Sequence, residues 1–231
     1  MRLEEVRAEL EEDLAWRLDE IRHLRNTLLG QVNRADWSVT AMRALLVMQY
    51  AHLEGFARNA FAIYVAVVNR QSLKAEEAHA HLFASALTAE FEALRRGATN
   101  DQEGEDGRLM RRAKLQVDFV ERMRELGSGV LFVDVDSAVS MEMNFGADVL
   151  RRTLYRLGIP EAEVNRAYYN SLEFVRKMRN DIAHGSRKER IAPGEFEAHQ
   201  RKCEEFMNEL VRLVAAAIRS GWYRKQMRSP A

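Results

Sequence analysis

Near position 180 the chain reads Met178-Arg-Asn-Asp-Ile-Ala-His-Gly185, with an arginine and a histidine five positions apart and an asparagine directly after the arginine. A guanidinium is always charged and grips a phosphate with two parallel N–H donors. An imidazole titrates near neutrality and moves protons. RNA carries its own nucleophile in the 2′-hydroxyl, so these groups could cut its backbone without a metal. The expected chemistry is metal-independent phosphodiester cleavage, with no cofactor.

These side chains must be positioned by helices. Leu3, Val6, Leu10, Leu14, Leu18, Ile21, Leu24 and Leu28 recur at spacings of three and four and predict an amphipathic helix over about 3–29. Asp36 or Ser38 can cap a second helix to about Asn69, apolar around much of its circumference and therefore central. Further helices are predicted over about 74–95, 108–126 and 146–157. The helix carrying the motif spans 160–185, opening on Pro160 as a first-turn proline, and the last covers about 193–220. Val130–Val135 reads as a short strand or extended segment, and the acidic stretch 97–107 as a mobile loop. The expected fold is all-α: one domain over 1–231, a bundle of about six or seven helices, with a charged N-terminal helix over 1–30.

Composition agrees. Of 231 residues, 47% are hydrophobic and 30% charged, with 12 Gly and only 3 Pro, the balance of a folded helical protein. Lys+Arg and Asp+Glu stand at 35 each, so no global positive field announces a nucleic-acid binder. The excess is local: residues 165–190 hold seven Lys/Arg against three acids, and Arg176, Lys177, Arg187 and Lys188 are the candidate RNA-binding cations. The single Cys203 excludes an intrachain disulfide and a cysteine-cluster zinc site. No basic-then-apolar leader opens the chain, and the run Phe61–Val68 is too short to span a bilayer. A cytoplasmic protein with no membrane partner is the expectation.

On an ideal helix Arg179 lies within roughly 40° of Val175, at the edge of the buried stripe, while Asn180 and His184 are one turn apart on another face. Arg179 and His184 are thus about 140° apart. They meet only if the helix unwinds near Gly185, or if a second copy of the helix supplies part of the site across a twofold axis. A histidine in a last helical turn followed by glycine is also an ordinary helix ending, and an Arg–His pair alone is a short pattern.

With its surroundings the motif says more. Asn144-Phe145, a helix ending at Leu157-Gly-Ile159 and a second helix ending in the Arg-Asn-x3-His run together resemble the HEPN superfamily, above all its prokaryotic RiboL-PSP-HEPN branch and close relatives. Arg179, Asn180 and His184 match that family's pattern in full, and Glu54, in His52-Leu-Glu-Gly-Phe-Ala-Arg58, matches its acidic residue on an earlier helix. The resemblance covers most of 40–220 and is specific from about 144 to 185. It implies an all-α homodimer that cleaves RNA without metal, leaves a 2′,3′-cyclic phosphate and serves host defence, often as a toxin held by a cognate antitoxin protein. On that reading Arg179 stabilises charge on the phosphorane and His184 is general base or acid. Asn180 orients His184 or a phosphate oxygen, and Glu54 tethers Arg179 or tunes His184.

The alternative is the same fold as a non-catalytic dimerisation or RNA-binding scaffold; a third reading is a helical interaction subunit that docks a partner through its N-terminal helix. His79 and His81 point apart on a helix and make a poor metal pair, whereas Asp134 and Asp136 could share one side of a strand but have no third ligand. Trp222-Tyr-Arg-Lys225 with Arg228 could stack single-stranded RNA, but packing against a neighbouring helix is the expectation.

Overall fold

The computed structural model describes residues 2–30, 32–97, 105–140, 144–186, 189 and 191–225. Among them are nine α-helices: α1 (Leu3–Leu29), α2 (Val39–Arg70), α3 (Ala80–Ala86), α4 (Thr88–Gly97), α5 (Glu105–Ser128), α6 (Val135–Ala138), α7 (Ala147–Leu157), α8 (Ala167–Ala183) and α9 (Pro193–Ser220). The fold is all-α, with only two isolated β-bridges among the described residues.

The core is a bundle of α1, α2, α8 and α9, in which α2 packs against the other three. That central place follows from its residues: Leu45, Leu46, Tyr50, Leu53, Phe56, Phe61, Tyr64 and Val65 are all buried and point around the axis rather than along one stripe. Ser38 starts the helix by accepting a hydrogen bond from the Ala41 amide. α1 commits its apolar face to α2 and α9 through Val6, Leu10, Leu14 and Ile21, so that face is not left for a docking partner. α3 packs on α7, which leans on α8, and α4 pairs with α5 as an outlying hairpin.

Three expectations are corrected by contacts between distant residues. The helix expected over 74–95 is broken. Residues 74–79 are instead held by the C-terminal segment, where the His79 amide donates to the Tyr223 carbonyl at 2.8 Å and the Lys225 amide to the Glu77 carbonyl at 2.7 Å. Tyr223 is buried and Trp222 packs against the core, so these aromatics are structural. The segment expected as a strand is extended, but its chief partner is a side chain. The Asn69 carboxamide accepts from the Val133 amide and donates to the Val133 carbonyl, both at 2.9 Å, while the Leu131 amide donates to the Leu73 carbonyl at 2.7 Å. Asp134 then caps α6 through the Ser137 amide and Asp136 pairs with Arg58, so the two carboxylates do not share a strand face.

The motif helix begins at Ala167, not at Pro160. Pro160 precedes a separate 3₁₀ turn, Glu161–Glu163, and Asn165 opens α8 by accepting a hydrogen bond from the Ala167 amide at 2.9 Å. In the expected loop over 97–107, Gly97 closes α4 and Glu105–Gly107 form the first turn of α5; 98–104 lie outside the described residues.

Three histidines make the fold sensitive to acid. Burial pushes the imidazoles of His52, His79 and His199 below their ordinary range, in His52 against the opposing pull of Glu20 2.9 Å away. The folded state therefore holds them neutral where the unfolded chain, titrating near pH 6.5, already binds protons. Unfolding takes up protons in that window, so stability rises with pH across it. Thermal midpoints are expected to be level above about pH 7.5 and to decline from about pH 7 toward 5; a flat profile through this range would mean that these three imidazoles, one buried and two part-buried, do not set the acid limit of the fold.

Candidate active site

Helix α2 presents Tyr50 and Glu54, one turn apart, toward α8. The Arg179 guanidinium lies 4.1 Å over the Tyr50 ring, and its Nη2 is 3.9 Å from Glu54 Oε2. Glu54 Oε1 accepts from the Tyr50 hydroxyl and from the Phe145 amide, each at 3.1 Å. Burial pushes the Tyr50 hydroxyl up to about 12, with Glu54 adding to the shift and Arg179 opposing it, so Tyr50 stays a neutral donor to Glu54. Glu54 thus ties three elements: its own helix, the segment before α7, and α8. Arg179 and Glu54 are both about one-fifth exposed, which leaves the cation an opening to solvent.

A second knot lies one turn back. Asn144 Oδ1 accepts from Asn180 Nδ2 at 3.0 Å and from Arg176 Nη1 at 3.2 Å. Arg176 also forks onto Glu173, whose carboxyl it holds below the usual range. Gly146 permits this: a Cβ there would stand 2.6 Å from Arg176 Cδ, where no real Cβ sits. Arg176 is therefore turned inward onto protein partners, whereas Lys177 is exposed; Arg187 and Lys188 lie outside the described residues.

His184 is the C-cap of α8. Its amide donates to the Asn180 carbonyl at 2.9 Å, so helical register persists through it, and only Gly185, at φ +70°, turns the chain away. The helix does not unwind early, and the angular gap between Arg179 and His184 remains. The imidazole is exposed, and among the described residues none hydrogen-bonds to it. The fold thus gathers Glu54 with Arg179, and Asn180 with Arg176 through Asn144, while His184 stands apart in solvent.

Tyr50 and Asn144 were missed as site residues. The four-residue step from Tyr50 to Glu54 was a readable signal on a helix; Asn144 had none beyond its place in the family pattern. A cavity of about 610 Å³ lined by His81, Ser85, Phe91, Arg95, Tyr155 and Arg156 lies elsewhere, between α3, α4 and α7.

Glu54 yields a stability prediction. In Glu54→Ala the Phe145 amide, on a residue with no solvent access, loses its acceptor, at a cost of about 1–3 kcal/mol. Glu54→Gln keeps an acceptor oxygen and should cost distinctly less. Urea denaturation of both variants tests this, and equal losses would mean that the Phe145 contact contributes nothing.

No curated protein and no solved structure matches the chain. The family model for HEPN_MAE_28990-like HEPN proteins does, over residues 6–223. The match takes in α1, which the motif-based resemblance left unexplained, the α4–α5 hairpin, and the Arg-Asn-x3-His stretch at the end of α8. On this evidence the chain belongs to the HEPN_MAE_28990-like HEPN family and, through it, to the HEPN superfamily.

Proposed function

We propose that this chain is a single-domain, metal-independent endoribonuclease acting in the cytoplasm in host defence or as the toxin of a toxin–antitoxin pair, with RNA as substrate and a cognate antitoxin as regulator. The observation that carries the reading is Arg179 held between the Tyr50 face and the Glu54 carboxylate, part-exposed, with Asn180 beside it and an exposed His184 one turn further on. Arg179 is preorganised to meet charge developing on a phosphorane. His184 is free to approach substrate because, among the described residues, none hydrogen-bonds to its imidazole.

Since α8 keeps its register, the catalytic pair is completed by a second copy: two α8 C-termini meet across a twofold axis, and Arg179 of one protomer faces His184 of the other. One His184 takes the 2′-hydroxyl proton as the 2′-oxygen bonds to phosphorus. The bond from phosphorus to the 5′-oxygen breaks, and the leaving oxygen takes a proton from water. The products are a 2′,3′-cyclic phosphate and a 5′-hydroxyl. Asn180 orients a phosphate oxygen, Glu54 positions Arg179, and Lys177, with Arg187 and Lys188, gathers the RNA backbone. Arg176, tied to Glu173 and Asn144, positions Asn180.

One observation favours the alternative, a non-catalytic dimerisation or RNA-binding scaffold: the Arg179 guanidinium already has protein partners on two sides. Incubation of total cellular RNA with the purified protein in EDTA separates the two. Cleavage with cyclic-phosphate ends is expected; intact RNA after exposure to a folded dimer, at protein in excess over RNA, would favour the scaffold.

A further inference from the structure

Helix α5 is apolar on two faces and packed on one. Its inner face meets α4: the Phe119 and Phe91 rings lie 5.4 Å apart, Arg122 pairs with Glu90 at 3.3 Å, and Leu126 is buried. On the other side Leu109, Met110, Val117, Val120 and Met123 stand 41–60% exposed, five large apolar side chains on one helix. Met110, Ala113, Val117 and Val120 follow at steps of three, four and three, the spacing of a helix–helix seam, with Leu109 and Met123 along one flank and Lys114 and Glu121 along the other. A soluble helix with one face packed inward and a second apolar seam left open is built to be covered twice.

The charges say by what. α5 opens on Glu105 and Asp106; from 107 to 117 it then carries Arg108, Arg111, Arg112 and Lys114 and no acid, and from 118 to 128 Asp118, Glu121 and Glu125 beside Arg122 and Arg124. A parallel copy would lay the basic stretch 108–114 on itself, whereas a reversed copy lays it toward the segment that holds Asp118, Glu121 and Glu125.

We infer that α5 seats the α5 of a second copy of this chain in antiparallel register. In that register Val117 lies beside the partner's Val120 and Ala113 meets the aliphatic stem of the partner's Arg124. Leu109 and Met123 line the apolar flank of the seam, and Lys114 reaches the partner's Glu121. Each pairing recurs with the roles exchanged, as a twofold contact requires. All five exposed apolar side chains fall on this seam or its apolar flank, along a helix of 24 residues and about 36 Å. The surface is separate from the catalytic pairing proposed above, because α5 packs on α4 while α8 packs on α2, α7 and α9. A chain with two isologous surfaces builds dimers of dimers.

Sedimentation equilibrium of the full chain tests this. Val117→Asp combined with Val120→Asp is expected to halve the mass with the far-UV circular dichroism unchanged, both sites being exposed. Lys114→Glu is expected to weaken association by about tenfold, and adding Glu121→Lys to restore it, a recovery that only opposed charges across the seam produce. A wild-type protein that is monomeric at 100 µM, a mass indifferent to the aspartate pair, or a charge swap without recovery would each overturn the inference. Loss of nuclease activity in His184→Ala with the mass unchanged would leave it standing.

Discussion

His184→Ala is expected to lower RNA cleavage by about 10²–10⁴-fold, the range that a positioned general acid or base contributes. The loss should come without a folding defect, since the imidazole is exposed at the end of α8 and none of the described residues hydrogen-bonds to it; surface changes of this kind shift stability by no more than about 0.5 kcal/mol. Arg179→Ala should cost about 10²–10³-fold, as removal of a preorganised charge does. It should also destabilise the protein, because it vacates the face of Tyr50 and unpairs Glu54. Arg179→Lys should recover little activity, since an ammonium has no fork with which to span two phosphate oxygens. Rates measured in EDTA on one defined single-stranded RNA, beside thermal midpoints, separate the two roles. An active His184→Ala enzyme would end the catalytic assignment.

Mixing two dead proteins should revive one. If Arg179 of one protomer works with His184 of the other, a heterodimer of Arg179→Ala and His184→Ala chains holds one site with both residues intact and one with neither. At equal input half of the dimers are mixed, and each carries half the normal number of sites, so about a quarter of wild-type activity returns. If both residues act within one chain, no mixed dimer holds an intact site and nothing returns. The reasoning rests on α8 keeping its helical hydrogen bond through His184, which denies Arg179 and His184 of one chain a common side. Titrating one variant into the other after subunit exchange, with total protein fixed, gives a bell-shaped recovery for the shared site and a flat baseline for the other.

The legible parts of the molecule were those whose signals are local. α1 and α9 have the bounds that their apolar steps of three and four imply, because each has a single buried stripe and clear ends: Gly30 beyond one, Pro193 and Gly221 bracketing the other. The break at 74–79 was not legible, since it depends on the Tyr223 carbonyl about 140 positions away. The start of α8 was misplaced for a chemical reason. Pro160 is a common first-turn residue, but Asn165 offers the Ala167 amide a better partner. In the site, Arg179 was legible from its residue type within the motif and Glu54 from the family pattern, and the two lie together, 3.9 Å apart. Asn144 reached its two donors only through tertiary structure, and the inward turn of Arg176 depends on Gly146, 30 residues before it, having no side chain.

The Asn69 carboxamide that mates with Val133 acts as a strand one residue long. A main-chain ladder opens by peeling, whereas this one opens by rotating a single side chain. The amide hydrogen of Val133 should therefore exchange with deuterium on the schedule of an Asn69 rotamer, and that of Leu131, bound to the Leu73 main chain two residues away, on the schedule of local unfolding. Asn69→Leu would unlatch the first and spare the second. In that variant the extended segment before α6 would keep one of its two main-chain anchors, and α6 its pairing of Asp136 with Arg58.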